Sequence, residues 1–118
     1  MGKNINTVLG PRDVDTLGFW SMHEHVYAEG HMEDRFKPMN DVEKSSFEFD
    51  EYRKAGGVTV TDCMPVGAHR DILAMQRISE KSGVNIVAST GFHMGGNYEK
   101  DSPFLTMGEE ELFEIFYR

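Results

Sequence analysis

Apolar residues in this chain fall into short runs whose spacing switches between a period of two and a helical period. Leu17-Gly18-Phe19-Trp20-Ser21-Met22 leads into His23-Glu24-His25. Within it Trp20 and Met22 alternate against Phe19 and Ser21, as on a strand with two unlike faces. Upstream, residues 5–9 read as a small lead-in strand with a turn through Gly10-Pro11, and Pro11, Asp13 and Asp15 look like a turn leading into the histidine strand. Residues 26–40 are polar and hold Gly30, Pro38 and charges of both signs, which predicts a long loop. Asp41 then reads as a helix N-cap with an acidic first turn, and Val42, Ser45, Phe49, Tyr52 and Ala55 fall at helical spacing until Gly56-Gly57. Phe47 falls off that stripe.

The β-branched stretch 58–63 predicts a second strand, followed by a loop with Pro65 and Gly67. A second helix is expected over 70–81, with Ile72, Met75 and Ile78 on one face and Gly83 as its terminator. Residues 84–89 form a third strand, apolar enough to be buried on both faces. After an irregular stretch over 90–103, Thr106-Met107-Gly108-Glu109 reads as a capping box with Thr106 as N-cap. Leu112, Ile115 and Phe116 make the apolar stripe of the last helix.

Three strand–helix units in series imply a parallel sheet with right-handed crossovers. The loops after strands are long and chemically mixed, whereas those after helices are one or two glycines. That asymmetry is the mark of a (β/α) barrel with its chemistry at the strand C-terminal ends. A whole barrel needs eight units and typically about 250 residues, and 118 residues suffice for one domain but not two. The expected fold is therefore α/β: an N-terminal fragment of about three β/α units of a TIM barrel, with 1–118 as one incomplete domain. The other option is a small open sheet with one raw edge.

Charged residues (27%) and hydrophobic ones (39%) occur in ordinary globular proportions. Acids outnumber bases 20 to 12, giving a net charge of −8. Such a surface repels nucleic acid and anionic membrane, although an anionic substrate stays compatible with a bound metal. Cys63 is the single cysteine, so no intrachain disulfide forms and a reducing compartment fits. The first residues lack the apolar core of a secretory signal and no run approaches a membrane span, so a cytoplasmic location is expected. The eight methionines share no spacing and read as gap-fillers rather than copper ligands.

The chemistry concentrates at His23 and His25. Imidazoles at i and i+2 of a strand project to the same side and can converge on a divalent ion such as zinc. The plainer alternative for the pair is two solvated or hydrogen-bonded histidines near a strand end. Glu24, between them, should point away into the wall as a buried or paired carboxylate.

Four blocks carry a resemblance. They are Ile5-Asn6-Thr7-Val8-Leu9-Gly10-Pro11 through Met22-His23-Glu24-His25; Gly56-Gly57-Val58-Thr59-Val60-Thr61-Asp62; Arg70-Asp71 through Ile78-Ser79-Glu80-Lys81-Ser82-Gly83; and Val84-Asn85-Ile86-Val87-Ala88-Ser89-Thr90-Gly91-Phe92-His93. In this order they resemble the N-terminal part of the phosphotriesterase-like family of the amidohydrolase superfamily. The resemblance implies a (β/α)₈ barrel with a two-metal centre, usually zinc, and maps His23 and His25 onto the metal-binding histidines of the first strand. The remaining ligands (a carboxylated lysine, two histidines and an aspartate on later strands) and the catalytic residues are expected beyond Arg118. It also implies a metal-activated hydroxide that attacks an ester, lactone or organophosphate substrate. The block Pro65-Val66-Gly67-Ala68-His69-Arg70-Asp71, followed by Ser89-Thr90-Gly91-Phe92-His93, looks more like the lactonase or uncharacterised members than the phosphotriesterase proper.

His93 sits where the third strand opens onto the active face and is a candidate substrate-binding side chain, against a plain loop histidine. His69 is expected to be solvated, and His31 carries no assigned role. Asp62 points in or out of the barrel depending on register. Arg70-Asp71 reads as a cap with an ion pair, and Cys63 as a small buried hydrophobe. The leading reading is a hydrolase portion that is inactive alone. The alternative is a truncated non-catalytic remnant or interaction module that self-associates through the incomplete barrel edge. A deaminase or nuclease relative also begins with His-x-His, but the strand-three block opposes it.

Overall fold

In the computed structural model, which describes residues 2–29, 39–67 and 70–117, the first two strands pair as an antiparallel hairpin. They are β1 (Asn4–Thr7) and β2 (Gly10–Asp13). The turn expected at Gly10-Pro11 lies instead at Val8-Leu9. There the Thr7 hydroxyl donates to the Gly10 carbonyl (2.7 Å) and accepts from the Leu9 N–H (3.3 Å). Pro11 belongs to β2, where it is tolerated because that strand has a neighbour on one side only. Asp13 and Asp15 do make a turn: Asp13 caps a single 3₁₀ turn, Val14–Thr16, by accepting from the Asp15 N–H at 3.0 Å.

The predicted strand–helix alternation follows. β3 (Phe19–Glu24), β4 (Gly57–Asp62) and β5 (Asn85–Ala88) form one parallel sheet in that order. The crossovers are α1 (Val42–Lys54) and α2 (Ile72–Ser82). Asp41 caps α1, accepting from the Glu43 and Lys44 N–H groups (3.0 and 3.1 Å), and Asp71 caps α2, accepting from Ala74 (3.1 Å). Gly83 ends α2 at φ +71°, a left-handed position that suits glycine.

The helices cover one face of the sheet. Val60 and Ile86, paired across β4 and β5, pack on Ala74, Met75 and Ile78 of α2, while Val42, Phe49 and Tyr52 of α1 pack against that core. Phe47 is exposed, as its place off the stripe requires. Val26 and Tyr27, which the sequence reading places in a loop, are buried in the same cluster. The opposite face is held by polar contacts. The Trp20 indole N–H donates to Thr61 Oγ1 (2.9 Å), and the Thr59 hydroxyl donates to the Leu17 carbonyl (2.6 Å). Among the described residues no helix contributes to the packing on that side, and β5 is not buried on both faces as expected: Ile86 is buried, while Asn85 and Val87 are only half-buried.

The hairpin turn reaches the outer strand. The Val8 N–H donates to the Ile86 carbonyl (2.8 Å), and the Gln76 side-chain amide donates to the Val8 carbonyl (2.7 Å).

The last helix, α3 (Glu109–Tyr117), begins later than the capping box predicts. Pro103 seeds a separate 3₁₀ turn, Pro103–Leu105, that takes up Thr106, whose hydroxyl donates to the Pro103 carbonyl (3.2 Å). The capping contact shifts to Glu111, which accepts from the Gly108 N–H at 2.9 Å. No α3 residue is buried. It rests on the loop after β5 through the Phe92 and Phe116 rings (centroids 5.6 Å apart) and a hydrogen bond from the Thr90 hydroxyl to the Phe116 carbonyl (2.9 Å). Among the described residues, no helix is long and apolar enough to cross a membrane.

Candidate metal centre

His23 is the last residue but one of β3, and His25 follows the strand directly. Their rings are exposed, lie 5.5 Å apart between centroids and meet edge to face at 80°. The rings are thus neighbours, as the i, i+2 spacing on an extended segment demands. With metal–nitrogen bonds of about 2.0–2.1 Å, two imidazoles on one tetrahedral ion place their centroids roughly 5 Å apart. The observed separation of 5.5 Å is of that size. Among the described residues no group of three or more His, Cys, Asp or Glu side chains converges.

Glu24 is half-buried, and its carboxylate accepts from the Ser21 hydroxyl at 2.6 Å. The local pairing explains why. Ser21 faces Val60 and Glu24 faces Asp62, so β3 carries one residue more than β4 across this step. That bulge lets Ser21 and Glu24 meet.

Asp62, whose direction the sequence left open, is fully buried. One carboxylate oxygen accepts from the Val26 N–H (2.7 Å), the other from the Met64 N–H (2.9 Å). Burial pushes its carboxyl above the usual carboxylate range, opposed by those two donors and by the nearby His25 and Arg70. The expected Arg70–Asp71 ion pair gives way to another arrangement. The Arg70 guanidinium donates to the carbonyls of Met64 and Ser89, while the Asp71 carboxylate is occupied in capping α2. Burial lowers the pKa of Arg70, partly offset by Asp62. Asp62 and Arg70 were missed as anchors, although one signal was present. Asp62 shares the parity of Val60, and on an alternating strand that places it on the helix-covered side.

His93 lies in the loop after β5, half-buried. Its N–H donates to the Tyr98 hydroxyl (2.9 Å), which itself donates to the Val66 carbonyl (3.0 Å), and its Nδ1 accepts from the Met94 N–H (2.9 Å). Cys63, which directly follows β4, is half-buried rather than buried. Its N–H donates to the Glu24 carbonyl at 2.8 Å. Met64 and Met75 do fill the interior, whereas Met22 and Met94 are exposed. His31 and His69 lie outside the described residues.

The family model described as "Phosphotriesterase family" matches residues 3–117. A phospho-furanose lactonase of Mycoplasmopsis agalactiae is 37% identical over 108 residues, which cover 87% of this chain and 31% of that protein. The crystal structure of an amidohydrolase from Mycoplasma synoviae superposes with a TM-score of 0.86 at 32% identity, covering 98% of this chain and 35% of its own. A lactonase from Listeria monocytogenes gives 0.75 at 28% identity, covering 95% and 37%. The chain spans about a third of the length of the curated relatives it matches.

Proposed function

Because the chain belongs to the phosphotriesterase family, we propose that it carries the first-strand ligands, His23 and His25, of a metal-dependent hydrolase acting on an ester, lactone or phosphotriester. Its fold is the three-unit part of the TIM-barrel hydrolases to which it is similar, and its relatives are hydrolases. A lactone is the favoured substrate class, since two of the proteins described above bear the name lactonase. The ion is divalent and of the zinc type. When bound, it supplies a water whose pKa is lowered to around 7 and a Lewis acid for the scissile oxygen. The chain's own part is to hold and orient. The two imidazoles would hold the ion, the extended segment from His23 to His25 keeps them neighbours, and His93 lines the substrate pocket from the loop after β5.

The observation that carries this reading is the pair of neighbouring imidazoles, 5.5 Å apart, at the end of the first parallel strand. Residues 1–118 form one incomplete barrel domain of a cytoplasmic enzyme. The other ligands lie on barrel strands that this sequence does not include. The 118 residues alone are therefore expected to bind zinc weakly and to lack turnover. Competition with a chromophoric chelator tests the site. Weak zinc binding lost in both His23→Ala and His25→Ala supports it, and binding unchanged in the double variant refutes it.

A second reading, a non-catalytic module that associates with its own copies, has one observation in its favour. Phe113, Ile115 and Tyr117 leave α3 with an exposed apolar surface, next to an exposed Phe92. Sedimentation equilibrium separates the readings: a concentration-dependent dimer favours the module, and a monomer removes its support.

A further inference from the structure

We propose that Asp62 is the positioning residue for the histidine pair: its buried carboxylate holds the peptide behind His25 and so keeps that ring beside His23. This rests on the reading of the pair as a metal site, and it concerns a residue that touches neither ring in a hydrogen bond.

β3 ends at Glu24, so His25 sits where regular ladder bonding stops. Two contacts from the neighbouring strand replace it. The Glu24 carbonyl accepts from the Cys63 N–H (2.8 Å), and the Val26 N–H donates to Asp62 (2.7 Å). Both flanks of His25 are thereby fixed to consecutive residues, 62 and 63. With its two neighbouring peptides immobilised, the backbone at His25 has little freedom to turn its ring away. A buried carboxylate satisfies this geometry better than a neutral side chain, because its two oxygens accept from two separate N–H groups at once.

The same carboxylate also serves the next loop, through Met64 (2.9 Å). Arg70 carries the connection onward by donating to the Met64 and Ser89 carbonyls. The segments that follow β3, β4 and β5 are thus laced together at the sheet end where the histidines lie. Of the two side chains in this lacing, Asp62 and Arg70, it is Asp62 that reaches a peptide adjoining a proposed ligand.

The test uses Asp62→Ala, which removes both acceptors, and Asp62→Asn, which retains one carbonyl oxygen. Ile78→Val is a mild core truncation away from the site and serves as control. Two readouts are taken on folded protein: zinc affinity, and the nuclear Overhauser contact between the His23 and His25 rings without metal. Asp62→Ala should weaken zinc binding about tenfold and abolish the ring contact, with Asp62→Asn between it and the parent. Ile78→Val should leave both readouts as they are in the parent. Zinc affinity within twofold of the parent together with a retained ring contact in Asp62→Ala overturns the proposal. If Asp62→Ala does not fold, amide exchange in the parent decides. A protected Val26 N–H upholds the clamp, and exchange at the rate of a free amide refutes it. A parent that binds no zinc would defeat the metal reading, while the ring contact still judges the positioning role.

Discussion

Removing one oxygen atom from Tyr52 tests how the histidine-bearing strand is fastened to its neighbour. Phe19 faces Gly57 while Trp20 faces Thr59, so the β3–β4 register slips and regular ladder bonding is interrupted there. The Tyr52 hydroxyl fills the gap. It accepts from the Ser21 N–H (3.2 Å), and its proton is offered to the Thr59 carbonyl (3.0 Å), with that of Phe19 at 3.3 Å. One hydroxyl proton serves one carbonyl at a time, so Tyr52→Phe loses two hydrogen bonds rather than three. Each is worth about 0.5–1.5 kcal/mol net, and both are only partly buried, so the expected loss is about 2 kcal/mol. With a urea slope of roughly 1–3 kcal/mol per molar, the midpoint should fall by about 1 M. Trp20 is the only tryptophan and adjoins the altered bonds, so its fluorescence reports locally while far-UV circular dichroism reports the whole. Both curves should shift together. A loss below about 0.5 kcal/mol, the range of neutral surface changes, refutes the role given to the hydroxyl. Tyr117→Phe, at a position 79% exposed, is the matching control and should stay within that range.

Two further outcomes follow from the packing and the caps. Ile78, fully buried between α2 and the sheet, should lose about 2–5 kcal/mol as Ile78→Ala and about 0.5–1.5 as Ile78→Val, read from urea midpoints. Equal losses from the two would mean that the site collapses around the smaller residues. The Asp41 carboxyl is held below its ordinary 3.8 mainly by the hydrogen bond from the Lys44 N–H. Its contribution is therefore complete above that ordinary value and fades as pH falls through the lowered one. Helicity followed in acid should show this loss in the parent and not in Asp41→Asn, which keeps a capping oxygen but does not titrate.

What could be read from residues alone was whatever depends on local period. Ile72, Met75 and Ile78 at helical spacing placed α2, Gly83 marked its end, and strand parity was enough to put His23 and His25 side by side. The misses share a different cause. Pro11 resembled a turn residue because nothing local reveals that β2 has a single neighbour, the condition under which a strand accepts proline. Thr106 and Glu109 had capping-box spacing, yet Pro103 captured Thr106 in a turn of its own. Residues 84–89 were apolar enough for burial on both faces, but which faces are covered depends on where the helices lie. Asp62 shows the limit most clearly. Its parity was readable, but its partners Val26 and Met64 come from two different loops, and only the folded sheet brings them together.

The contact between the hairpin turn and β5 bears on how this molecule can meet others. Outer strands ordinarily offer a row of unsatisfied amides to any passing peptide. Here the Ile86 oxygen is already taken by Val8, and Gln76 ties that turn down from the helix side. A newcomer seeking to pair with β5 at Ile86 must first displace the turn, so growth at that point of this border begins with a displacement.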